Sequence, residues 1–341
     1  SPADFVLGNN TKIVTGNADI SVHASHDIKF GNAGSVIYSA GRDVGHALDR
    51  HGSDVPFYVQ EGEDKMLLTD TAGMAGLKMT PGDGGNVSLS AGNDILGYAN
   101  NDEQVQVIRD WFNYTDAVSE AYDGDILYQA REDAGIFINF ANFKQGIAAF
   151  GGGSININAG RDIVRLDASV PTTMSLDSDS LQVHRYGAGD LHVNSGRNLV
   201  SSDFFVGDRH AVINADSAII SDRNVWGIDV PGYYALMGGQ MTVSARKDAT
   251  VYGAINPTLL DLNPDYGPTS YVSFTTETAF QAKSLAGNVI FDTNGYRLDN
   301  LTLPREDEGF VYNGDIVSWV PGKFGLYAFD GDITVNGNLQ I

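Results

Sequence analysis

The 341-residue chain contains no cysteine, so neither a disulfide framework nor a thiolate metal site is available to it. That absence suits a protein that crosses membranes unfolded, because no bridge can lock it prematurely, and it supports an expectation of export. Cations are scarce: 21 Lys and Arg stand against 43 Asp and Glu, a formal net charge of −22. Such a surface repels phosphate backbones and anionic lipid, which sets nucleic acid and acidic membranes aside as partners. No apolar run approaches the roughly 20 residues that a bilayer-spanning helix needs, so membrane insertion of this segment is not expected. Ser1 opens a polar stretch without the pattern of a signal peptide. With repeat units near both ends and no evident caps, the expectation is a piece of a longer protein.

What is abundant is glycine, 40 residues, together with Asn, Asp and short groups of strand-forming Val, Ile, Tyr and Phe. A repeat organises them. Gly85, Val87, Leu89, Gly92, Asp94 and Ile95 recur as Gly153, Ile155, Ile157, Gly160, Asp162 and Ile163, and again as Gly189, Leu191, Val193, Gly196, Asn198 and Leu199. Weaker copies begin at Ala18, Gly34, Gly124, Gly239, Gly287 and Gly331, with a degraded one from Ala211 to Ile219. In each, apolar-x-apolar reads as a strand with one inward face, and a second apolar residue follows a corner at Asp or Asn. The glycine is expected to supply positive φ and the Asp or Asn to bond nearby backbone, with stacked copies forming ladders.

One such unit cannot bury its apolar residues alone, so the copies must stack in parallel. The predicted fold is all-β: a right-handed parallel β-helix, a solenoid with inserted loops and one short helix, forming a single segment over residues 1–341. The intervals are uneven, and the sequence places insertions at about residues 49–82, 100–122, 222–237 and 255–283.

The units around Ser90, Ala91, Gly92, Asn93, Asp94 and Ile95 and around Asn158, Ala159, Gly160, Arg161, Asp162 and Ile163 resemble those of filamentous-haemagglutinin-type exoproteins, the passengers of two-partner secretion. The resemblance extends over most of the chain, including Gly151 to Ile155 and Gly331 to Gly337. It implies a repetitive β-helix secreted through an outer-membrane transporter to the bacterial cell surface, serving cell adhesion or toxin delivery. The secretion domain that such proteins carry near their N-terminus is not evident here.

Function is expected where the repeat does not reach. Residues 101–122 read as a helix capped by Asn101, with Gln104 three residues on and Val105, Ile108 and Phe112 on one face. It either lies over the solenoid or presents Trp111, Phe112 and Tyr114 as an aromatic contact surface. Residues 226–237 hold Trp226, Tyr233 and Tyr234, whose flat rings suit stacking on sugar faces. A third aromatic segment, 310–329, carries Tyr312, Trp319, Phe324 and Tyr327. For each, packing on the coil competes with binding. Calcium is the one cation with candidate ligands, at Asp177 with Asp179, Asp261 with Asp265, and Glu306 to Glu308. None matches an EF-hand, a solvated acidic run is the simpler reading, and no other cofactor is indicated.

Asp94 and Asp162 could align as a carboxylate pair, yet they occupy the corner that the repeat itself requires. The pairs His23 with His26 and His46 with His51 have no metal-ligand spacing, and no P-loop, dinucleotide fingerprint or serine elbow occurs. The sequence therefore reads as a non-enzymatic structural and binding segment of a large surface adhesin, whose partner is a host or neighbouring-cell receptor or glycan. A carbohydrate-active β-helix enzyme, a polysaccharide lyase or hydrolase, is the alternative. The stalk of a contact-dependent toxin delivery protein is the third reading.

Overall fold

The computed structural model describes residues 2–45, 58–61, 64–67, 78–98, 138–139, 143, 146–177, 182–220, 224–225, 228–229, 232, 234–254, 262–263, 267–268, 274, 276–292, 318–337 and 339–340. Among them the chain is all-β, with three parallel sheets whose strands follow in sequence order. This is a parallel β-helix. Each coil contributes one strand to an eight-stranded first sheet, one to a nine-stranded second sheet and, over much of the length, one to a six-stranded third sheet.

One coil shows how sequence makes this shape. Val87–Ala91 lies in the first sheet, with Val87, Leu89 and Ala91 buried and Ser88 and Ser90 on the outside. Gly92, Asn93 and Asp94 turn the corner into Ile95–Leu96 of the second sheet, and Gly146–Ala149 later fills the third. The next coil stacks directly: Val87 pairs with Ile155, Leu89 with Ile157, and Ile95 with Ile163. Leu191 and Leu199 continue the two rows. Inward rows from all three sheets merge into one core, so each unit is buried by its neighbours.

The copies at Ala18, Gly85, Gly153, Gly189, Ala211 and Gly239 take the predicted places. Three others are displaced. Val36–Ser39, in the copy at Gly34, belongs to the third sheet, between Lys12–Thr15 and Gly146–Ala149. Val289–Asp292 and Ile333–Asn336, in the copies at Gly287 and Gly331, are second-sheet strands. Their first-sheet partners in the coil are Ala279–Ser284 and Lys323–Ala328. Alternation of apolar residues is the same in both sheets, so it does not tell one from the other. The copy at Gly124 and the helix expected over 101–122 lie outside the described residues.

The repeat glycines also act differently from the expectation. Among the described residues those with positive φ are Gly41, Gly146, Gly151, Gly152, Gly253 and Gly337, none of them the glycine that opens a strong copy. A Cβ on Gly153 would sit 2.1 Å from the carbonyl oxygen of Gly85, and one on Gly189 would sit 1.9 Å from that of Gly153. Close approach between coils is what demands glycine there.

The third sheet differs from the first in being covered outside as well as inside. Val36, Tyr38, Ala148, Ser169, Phe205 and Ala235, absent from the central core cluster, are nonetheless buried. Phe143, which lies on an insertion, packs edge-on against Tyr38 at 5.4 Å and Phe150 at 5.5 Å.

Phe143 shows an insertion residue supplying part of this cover. The described coil strands show that chain leaves the stack between the second and third strands or after the third. The tight corner from first to second strand is kept throughout. Lys78–Gly82 pairs antiparallel with Arg42–Gly45 and with Ile138–Asn139, joining two separate insertions into one side sheet. The hairpin of Thr173–Asp177 with Gln182–Tyr186 was not anticipated and lies against Lys78–Gly82. The coil also resumes earlier than the sequence boundaries suggest, at Tyr234–Leu236 and at Ala279–Ser284.

Candidate functional site

The corners between sheets are held by side chains bonding backbone of the next coil. Before the first strand, Asp19 accepts from the Asn86 N–H at 2.7 Å, Asn86 from Ser154 at 2.9 Å, Ser154 from Asp190 at 3.1 Å, and Asp190 from His210 at 3.1 Å. After it, Asp4 accepts from Asp27, Asp27 from Asp94, Asp94 from Asp162, and Asp162 from Asn198. This second ladder passes to Ala218, which has no acceptor to offer, and restarts as Asp248 to Asn288 to Asp332. Asp94 and Asp162 are therefore corner residues, as the repeat requires. Arg197 grips both oxygens of Asp162, its Nε at 2.7 Å, and holds that carboxyl below the usual carboxylate range.

At the N-terminal end Asp4, His26 and Asp27 bring three metal-capable atoms within 4.8 Å of one another. His26 Nδ1 lies 2.6 Å from Asp4, and Lys29 Nζ lies 2.7 Å from Asp4 and 3.0 Å from Asp27. The Lys29 and His26 hydrogen bonds push the Asp4 carboxyl down to about 2. Lys29 thus supplies the cation for both carboxylates. Of the calcium candidates, Asp177 ends a strand of the unanticipated hairpin; Asp179, Asp261, Asp265 and Glu306 to Glu308 lie outside the described residues.

Of the aromatic candidates, Trp111, Phe112, Tyr114, Trp226 and Tyr233 lie outside the described residues. Tyr234 is 3% exposed and occupies the core, with ring centroids 6.2 Å from Phe204 and 6.4 Å from Phe280. Its place as the first residue of a third-sheet strand turns it inward, and burial pushes its phenol well above the ordinary value. It is not a contact residue. From the segment 310–329, Phe324 stacks on Phe280, while Tyr327 and Phe329 reach solvent.

The described surface holds a shallow, open groove that the sequence reading missed. It runs along the axis at the insertion-free corner of the first sheet. Asn158, Asn194, Asn214 and Ser244 form one side, in register on successive strands. Asn194 Nδ2 donates to Asn158 Oδ1 and Asn214 Nδ2 to Asn194 Oδ1, both at 3.0 Å. Asp216, Arg246 and Leu285 form the other side, and between the two lie Ala159, Ser195, Ala215 and Ala245, whose small side chains are buried. The available signal was Asn recurring at one outward position of the repeat.

No family model, curated protein or solved structure matches this chain.

Proposed function

We propose that the chain is a rigid binding segment of a large secreted bacterial surface adhesin of the filamentous-haemagglutinin type. The coils act as scaffold, and the sequence between them provides contact chemistry with a host or neighbouring-cell receptor or glycan. The observation that carries this reading is the placement of the insertions. In the described coils they depart between the second and third strands or after the third, so elaboration enters and leaves on one flank while the stack continues. Variation of loops on a fixed framework is a general way to build recognition. Delivery to the surface would use an outer-membrane transporter, for which a chain without cysteine is suited.

The test is attachment of the purified chain to glycan arrays and host-cell surfaces. Alanine at Trp111, Phe112 and Tyr114, or at Trp226 and Tyr233, is expected to weaken attachment while the β-sheet circular dichroism stays unchanged. Absence of attachment to any surface would leave a stalk. Release of soluble sugars from a polysaccharide would instead favour the enzyme reading.

A further inference from the structure

We infer that the axial groove at the insertion-free corner binds an extended, uncharged glycan chain. The inference deepens the adhesive reading and rests on it in taking a glycan as ligand, but it assigns the site to the coils, away from the aromatic insertions.

The chemistry of the groove selects the ligand. In the amide ladder, each Asn Nδ2 has two hydrogens and each Oδ1 two lone pairs, and the ladder uses one of each at Asn194. An outward donor and an outward acceptor therefore recur at each rung, spaced by the parallel strands at about 4.8 Å. Sugar hydroxyls both donate and accept, and a polysaccharide repeats such groups along its length.

Charge argues for a neutral chain. Asp216 and Arg246 on the opposite side lie 4.0 Å apart and compensate each other. A net charge of −22 opposes a polyanion, and the groove adds no excess of cations.

Aromatic surface follows in the same rows. Ser244 is succeeded in register by Lys283 and Tyr327, and Leu285 is followed by Phe329, the residue just after the strand Lys323–Ala328. Phe329 is 71% exposed, and Tyr327, 43% exposed, lies flat beside Gly325 with Lys283 Nζ 5.8 Å from its ring centroid. The exposed Phe329 ring, following the groove along the axis, suits stacking on a sugar face.

The experiment is calorimetric titration of the full chain with β-1,4-linked glucose, xylose and mannose hexasaccharides, alongside an oligogalacturonate and an unstructured peptide. In parallel, cell attachment is measured for wild type, Asn214→Ala and Phe329→Ala. Phe329 is exposed, so that variant keeps the fold if Asn214→Ala perturbs it. Binding of a neutral hexasaccharide, weakened about tenfold or more by either substitution, is the expected result. Cells bound normally by both variants, with no hexasaccharide bound, would overturn the groove and leave the adhesive reading standing. Loss of all attachment in wild type would overturn both. Preference for the oligogalacturonate or the peptide would overturn the neutral-glycan assignment.

Discussion

The backbone N–H of Asp162 donates to Oδ1 of Asp94 at 3.0 Å across 68 residues of sequence. The same contact, one coil on, joins Asn198 to Asp162 at 2.9 Å. A corner that is costly to make alone thus becomes a repeated backbone bond when coils stack.

Removing one rung should be measurable. Asp162→Ala deletes the acceptor for the Asn198 N–H and for Arg197. Leaving a partly buried donor unmatched costs about 1–3 kcal/mol. Asp162→Asn keeps an oxygen for the N–H and should cost less. The denaturant midpoints of the two variants decide the order; equal midpoints would contradict a ladder role.

The N-terminal cluster predicts acid sensitivity. Lys29, then His26, hold Asp4 at about 2 against an ordinary 3.8. Burial opposes ionisation of Asp27, but the Lys29 hydrogen bond and the Asp94 N–H outweigh it and lower that group too. A depressed folded value means the unfolded chain binds protons first, so the stabilisation is present above 3.8 and is lost as pH falls towards about 2. Lys29→Met should flatten the fall of the thermal midpoint in that window. An unchanged slope would show that the pairs contribute nothing there.

Glycine at the coil contacts should be irreplaceable for a steric reason. Gly153→Ala would press a methyl to 2.1 Å from the Gly85 oxygen, whereas Gly322 has open space. The first substitution should cost about 1–3 kcal/mol by overpacking, and Gly322→Ala should leave the thermal midpoint nearly unchanged. Similar losses at both positions would show that close approach is not the constraint.

Second-sheet strands such as Ile95–Leu96 and Ile163–Val164 are apolar doublets, of which the first residue faces the core. Ile163 is fully buried, while its neighbour Val164 is half-buried on the outer face. Ile163→Ala is expected to cost about 2–5 kcal/mol and Val164→Thr about 0.5 or less, read from urea unfolding. The reverse order would mean the strand faces the other way.

These doublets also show what the sequence conceals. First-sheet strands such as Ile155–Ala159 were legible because alternation and the flanking Gly and Asp mark one wet face. Third-sheet strands such as Phe204–Val206 are buried on both faces, lose alternation and read as irregular apolar runs, while Val36–Ser39, buried on both faces too, was legible as a strand but not as one of the third sheet. The pairing of Ile138–Asn139 with Lys78–Gly82 is a contact between insertions, for which the repeat carries no signal. The groove was hidden for another reason: Asn158, Asn194 and Asn214 look like ordinary outward polar residues until the register aligns them.

That register is open to direct measurement, because the native chain has no cysteine to interfere. Ser88 and Asn156 are paired on adjacent parallel strands, about 4.8 Å apart, within the reach of a disulfide. Ser88→Cys with Asn156→Cys should crosslink on mild oxidation and raise the denaturant midpoint. Ser88→Cys with Asn158→Cys, offset to about 8 Å, should remain reduced. Failure of the paired variant to crosslink, or equal crosslinking of both, would contradict the stacked coils on which the scaffold and its groove depend.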